Sequence, residues 1–121
     1  MNIVLIHPLY RHIYKRIRGV RYLDPPIGLL YVAAALRRAG HTVTVIDAEA
    51  EDAPDAHAVA GLARTAAPDL VGLSFTTPML ASAAETVAAL KKSVPQAPIM
   101  LGGPHTTAEP AAIPSMKRYS G

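Results

Sequence analysis

Four short, mostly apolar runs lie along this chain, each separated from the next by enough residues for a helix: Ile3 to Ile6, His41 to Ile46, Leu70 to Phe75 and Pro98 to Leu101. Runs this short, rich in Val, Ile and Leu and bounded by Pro, Asp or Gly, read as strands, because a core helix needs about ten residues or more. Ile3-Val4-Leu5-Ile6 is apolar at every position, the pattern of a strand covered on both faces. The second run alternates in part through Thr42 and Thr44 and ends on Asp47, which suits a sheet edge with one face less covered. Leu70 to Phe75 is apolar enough for the middle of the sheet.

The segments between these runs carry helical spacing. The first helix is expected to start near Pro26, whose fixed φ and missing N–H suit a first turn. Leu29, Val32, Ala33 and Leu36 make its inner stripe, Arg37 and Arg38 face out near its end, and Gly40 supplies a left-handed cap. A second helix spans about Asp55 to Ala66, with Val59, Leu62 and Ala66 on one side, and Pro68 ends it. Thr77-Pro78 starts the third, with a threonine oxygen to cap orphan N–H groups and proline at the first helical position. It carries Leu80, Ala84, Val87 and Leu90 inward and finishes on Lys91-Lys92.

Strand and helix alternating in this way predict an α/β fold, a parallel sheet with helices on both faces. Right-handed crossovers and short connections leave few arrangements. The expectation is a flavodoxin-like or Rossmann-like three-layer sandwich of strand order 2-1-3-4, reversing its winding between the first and third strands. Such folds normally have a fifth strand, and nothing after Ile113 reads as one. Residues 1–114 are therefore expected to form the domain. Residues 115–121 form a tail, which is either a truncation point or the end of a four-stranded variant.

With 121 residues, half of them apolar, the chain can bury one real core without staples. It has no cysteine, so it cannot itself hold a cysteine-ligated iron–sulfur cluster, a thiolate zinc site or a cysteine nucleophile. No apolar run is long enough to cross a bilayer, and Met1-Asn2 leads straight into the first strand with no leader pattern. A cytoplasmic protein is expected, with no membrane partner. The net charge of +3 is concentrated in Arg11, Lys15, Arg16, Arg18 and Arg21. That cluster lacks the interleaved aromatic platform of a single-strand binder and reads as a solvated loop, so nucleic acid is not an expected partner.

In an open parallel sheet, ligands bind outside the carboxyl ends of the strands, at the switch point. Three loops emerge there. His7 to Pro25 is unusually long, Ser74 to Pro78 carries the hydroxyls of Ser74, Thr76 and Thr77, and Gly102 to Thr107 offers bare backbone. A strand that stops on Gly102-Gly103 allows closer approach than any side chain would. The helix start at Thr77-Pro78 turns a positive dipole end into the same region, which favours an anion. Each feature also has a plainer reading. The glycine pair can make a tight turn, Ser74 and Thr76 can cap, and His105 can be a surface histidine. His7 and His12 stand apart from carboxylates and make no metal set. No glycine fingerprint follows the first strand, which leaves Asp47 weak support for a dinucleotide. The pattern describes a binding crevice without catalytic residues.

In sequence order, Ile3-Val4-Leu5-Ile6-His7-Pro8, Pro25-Pro26-Ile27-Gly28-Leu29-Leu30-Tyr31-Val32-Ala33-Ala34-Ala35-Leu36, Ala39-Gly40-His41-Thr42-Val43-Thr44-Val45-Ile46-Asp47, Pro68-Asp69-Leu70-Val71-Gly72-Leu73-Ser74 and Leu101-Gly102-Gly103-Pro104-His105 form a recognisable set. The set resembles the N-terminal cobalamin (B12)-binding domain of cobalamin-dependent radical S-adenosylmethionine enzymes. The resemblance implies cobalamin as cofactor, its nucleotide tail swung away from cobalt into a slot beside the sheet. Carried over, Ser74, Thr76, Gly102 and Gly103 line that slot with Thr77, Pro104 and His105 beside them, and Pro8, Leu9 and Tyr10 lie under the corrin ring. The first loop, His7-Pro8-Leu9-Tyr10-Arg11-His12-Ile13-Tyr14, lacks the Asp-x-His-x-x-Gly of methionine-synthase-type domains. The resemblance therefore implies base-off cobalamin without a histidine ligand.

The family's catalytic half, with its three-cysteine motif, is absent from this chain. An iron–sulfur cluster and S-adenosylmethionine would thus belong to a partner domain, in cis or in trans, in a methyltransferase or related enzyme. A second resemblance, of Arg38-Ala39-Gly40-His41-Thr42-Val43-Thr44-Val45 to the start of two-domain glycosyltransferases, implies instead a half-domain binding a nucleotide or nucleotide sugar.

Overall fold

A computed structural model of the chain describes residues 1–9, 26–76 and 79–103. The elements are β1 (Asn2–His7), α1 (Ile27–Arg38), β2 (Thr42–Asp47), α2 (Ala56–Thr65), β3 (Leu70–Ser74), α3 (Leu80–Ser93) and β4 (Ile99–Gly102). The four strands pair in parallel in the order β2-β1-β3-β4. The fold is the α/β, flavodoxin-like arrangement that the strand–helix alternation predicts, with β2 at one edge and β3 inside. The expected boundary near residue 114 lies outside the described residues.

Side chains alternate between the two faces of each strand, so each face collects its own core. On one face Val4, Ile6, Ile46, Val71 and Leu73 pack with Val59, Ala60, Ala63, Val87 and Leu90 of α2 and α3. On the other, Ile3, Leu5 and Val43 meet only Leu29 and Ala33 of α1 as fully buried partners. Burying a side chain of the Val, Leu or Ile class stabilises by about 1.5–3 kcal/mol, and most such burial is on the first face.

Local chemistry sets the ends of the elements. Asp55 caps α2, its Oδ1 accepting from the Ala58 N–H at 2.9 Å. Gly40, at φ +97°, reverses the chain after α1, and the Arg37 side chain donates to the Val43 carbonyl at 2.9 Å, tying that helix end to β2. The Asn2 N–H donates to Asp69 Oδ2 and the Asp69 N–H to the Asn2 carbonyl, both at 2.7 Å, which aligns the starts of β1 and β3.

Three expectations shift. Val32, expected to face inward, is 49% exposed, because α1 sits over β1 and β2 and its flank hangs beside the sheet. Leu62 is also exposed, and the buried side of α2 is Val59, Ala60 and Ala63, whose small residues allow close packing. The N-cap position of α3 is Met79, without a side-chain cap, and Thr77-Pro78 lie outside the described residues. This helix is buried on more than one side, and Thr86 Oγ1 meets its need by donating to the Ser82 carbonyl at 2.8 Å.

Candidate functional site

Two rows of residues cross the α1 face at the carboxyl end of the sheet. In the first, Leu5 lies between Val45 and Gly72, and Gly72 beside Met100. In the second, His7 pairs with Asp47 and Ser74 with Gly102. Helix α1 covers the β1–β2 side of these rows. Over β3 and β4 a groove of about 440 Å³ remains, with Leu5, Gly72 and Met100 as floor, Gly28, Leu29 and Val32 as the helix wall, and Ser74, Gly102 and Gly103 at its upper end. That volume falls within the range of small-ligand sites, roughly 300–1,000 Å³.

The glycines of the groove serve different ends. Gly103 has φ +100°, and a Cβ there would come to 2.8 Å from the Phe75 carbonyl oxygen and 2.9 Å from both Phe75 N and Ser74 Oγ. It is a tight turn pressed against the end of β3. The Phe75 N–H donates to the Gly102 carbonyl at 3.3 Å and holds the two loops together. Gly102 has no atom within 4 Å of where its Cβ would stand, so its missing side chain leaves open space. The tight-turn reading holds for Gly103, and Gly102 stands beside open space. In mid-strand, Gly72 keeps the floor low, because a Cβ there would lie 2.7 Å from Leu5 Cδ2.

Among the described lining residues, Ser74 is the one with a polar side chain. His7 Nδ1 stands 3.9 Å from Asp47 Oδ1, and both side chains are mostly buried. Asp47 Oδ1 also accepts from the Ala50 N–H at 3.4 Å. Helix α1 begins at Ile27, with Pro26 at its N-cap position making no side-chain cap and no acidic residue in its first turn. Among the described residues, no three His, Asp or Glu side chains converge as a metal site would require. This arrangement can bind a flat, largely apolar group that also carries a polar or anionic end.

A family model, the B12-binding domain, matches residues 16–117. The chain belongs to this B12-binding family. Over 111 residues it is 35% identical to an uncharacterized methyltransferase of Pyrococcus horikoshii, covering 91% of this chain and 23% of that protein. Over 108 residues it is 35% identical to an anaerobic magnesium-protoporphyrin IX monomethyl ester cyclase of Cereibacter sphaeroides, covering 88% of this chain and 17% of that one. The B12-binding domain thus spans less than a quarter of either relative. No solved structure matches it. Among the described residues, no helix is long and apolar enough to cross a membrane.

Of the residues expected at the cofactor site of this B12-binding domain, the groove brings together Ser74, Gly102 and Gly103. Thr76 is exposed, outside the lining, and its carbonyl accepts from the Met79 N–H at 2.9 Å. Pro8 is buried and Leu9 packs against the α2–α3 core, away from the groove. Tyr10, Thr77, Pro104 and His105 lie outside the described residues. Sequence reasoning missed Leu5, Gly28, Leu29, Val32, Gly72 and Met100 as lining. Only the glycines carried a signal: Gly72 interrupts an apolar strand and Gly28 sits in the first turn of a helix, where each marks close approach or free space.

Proposed function

We propose that this chain is a cobalamin-holding module whose groove receives the cofactor's nucleotide tail, with the tail base away from cobalt and no histidine of this chain on the metal. The observation that carries this is the glycine-floored apolar groove ending at Ser74, Gly102 and Gly103, in a member of the B12-binding family. The fit is physical. A planar base needs absent side chains, which Gly72 and Gly102 provide, and a ribose or phosphate needs hydroxyl and N–H groups, which Ser74 and the α1 N-terminus offer. Leu5, Leu29, Val32 and Met100 would clasp the base. When bound, cobalamin supplies cobalt-centred chemistry that none of these side chains has; the chain's own part is to hold and orient it.

The parent activity is read as that of a cytoplasmic radical S-adenosylmethionine enzyme, a methyltransferase or a related one. Its iron–sulfur cluster and S-adenosylmethionine would be held by a partner domain in cis or in trans. The relatives' names, a methyltransferase and a cyclase, and the small share of their length that this domain spans support that division of labour. The nucleotide-sugar alternative gains nothing from the family match.

The test is to mix the chain with hydroxocobalamin, desalt it and record the visible spectrum. Corrinoid should co-elute with the parent, with the spectrum of a displaced base. Gly102→Leu should release it at least about tenfold more readily, because the new side chain has room to grow only where the groove is open. Loss of binding at an unchanged melting temperature marks a blocked slot. If the parent retains no corrinoid, or the variant retains it equally well, the proposal fails.

A further inference from the structure

We infer that the groove also selects among corrinoids by the base at the end of the tail, accepting a benzimidazole and rejecting a purine. The inference rests on the tail occupying the groove and goes beyond it to the chemistry of the base. Corrinoids share a ring and a phosphoribose but differ in this base. An apolar benzimidazole has one ring nitrogen besides its glycosidic nitrogen. Adenine adds an exocyclic amine and further ring acceptors that require partners.

The lining decides between them. Leu5 and Leu29 are both buried, and with Gly72 and Val32 they give floor and wall no hydrogen-bonding side chain. Met100 adds a thioether, a weak acceptor at best. Among the described lining residues, the Ser74 hydroxyl is the only full side-chain donor or acceptor. It is also held at the rim, since its Oγ is 2.9 Å from where a Gly103 Cβ would stand. A base deep in the groove lies beyond it. The backbone of β3 does not help, because its N–H and carbonyl groups lie in the plane of the sheet and pair with β1 and β4; the outer groups of β4, the edge strand among the described residues, also lie in that plane and not up into the groove. An exocyclic amine buried against Leu5, Leu29 and Val32 would lose its water without a replacement. Such a mismatch typically weakens binding from about fivefold to more than a hundredfold.

The experiment titrates the full chain with three corrinoids, followed by visible absorbance: cobalamin, the cobamide with adenine as base, and cobinamide, which has no nucleotide tail. Cobalamin should bind at least about tenfold more tightly than the adenine form. A second titration uses Met100→Gln, a substitution at a position 64% exposed. An amide there can pair with adenine's amine and ring nitrogen, so the ratio of cobalamin affinity to affinity for the adenine form should shrink severalfold. Equal binding of cobalamin and the adenine form, with cobinamide weaker, would overturn base selection and leave the tail reading standing. Selection that survives unchanged in Met100→Gln would place the base elsewhere and also overturn the inference. If cobinamide binds as tightly as both, or nothing binds, the tail reading itself fails and takes the inference with it.

Discussion

On one face of the sheet, α2 and α3 bury Val4, Ile6, Val71 and Leu73 almost completely, whereas on the other α1 leaves Gly72, Met100 and Gly102 beside a groove. The same strands supply both faces, so the difference lies in what covers them. Two helices of small and branched residues close the first face, and Ala60, Ala63, Ala83 and Ala84 let them pack tightly there. Among the described residues, a single helix lies on the second face, over β1 and β2. One face holds most of the buried core, and the other keeps an open groove.

The hardest test of this division is a matched pair of leucine truncations. Leu90 is fully buried between α3 and the sheet, so Leu90→Ala should cost about 2–5 kcal/mol in urea unfolding, a lost side chain plus an enclosed cavity. Leu29→Ala should fall at or below about 2 kcal/mol, the lower end of that range, because its side chain already borders open space. Equal losses would mean that the α1 face is as closed as the other, and the comparison would break.

A second comparison lies within the groove, between neighbouring glycines. Gly103→Ala forces a side chain into the left-handed region and against the Phe75 backbone, and should cost about 1–3 kcal/mol. Gly102→Ala has open space at its Cβ, and the melting temperature should barely move. If both variants melt together well below the parent, Gly102 is as constrained as Gly103, and the open-slot reading of it is wrong.

The fold was legible because its signals are local and repeat. Apolar runs such as Ile3 to Ile6, the helix start at Pro26 and Gly40 each reported on a few residues, and strand order then followed from general rules. The site was legible only at its rim. Ser74, Gly102 and Gly103 stand where strands end, and ends are marked by polar residues and glycine. The floor and wall were not legible, because Leu5 and Leu29 look like any core residue until it is known that, among the described residues, no helix covers β3 and β4 on the α1 face. Val32 shows the limit well. Its spacing with Leu29, Ala33 and Leu36 is that of an inward stripe, and only the lateral position of α1 turns it toward the groove.

Val32→Ser gives the smallest expected effect and the finest test of that position. A fully buried valine would lose about 1.5–3 kcal/mol of transfer free energy on becoming polar. At 49% exposure roughly half or less of that applies, and serine and valine have similar helix propensities, so about 0.5–1 kcal/mol is expected. The urea m-value should not change, since the surface exposed on unfolding is nearly the same. A loss above about 2 kcal/mol would show that Val32 is covered in solution, and the groove wall would then be part of a second closed core. If the loss is small in the free chain but cobalamin affinity falls several-fold in the variant, Val32 serves the ligand and not the fold, which is the division of labour that the two faces express.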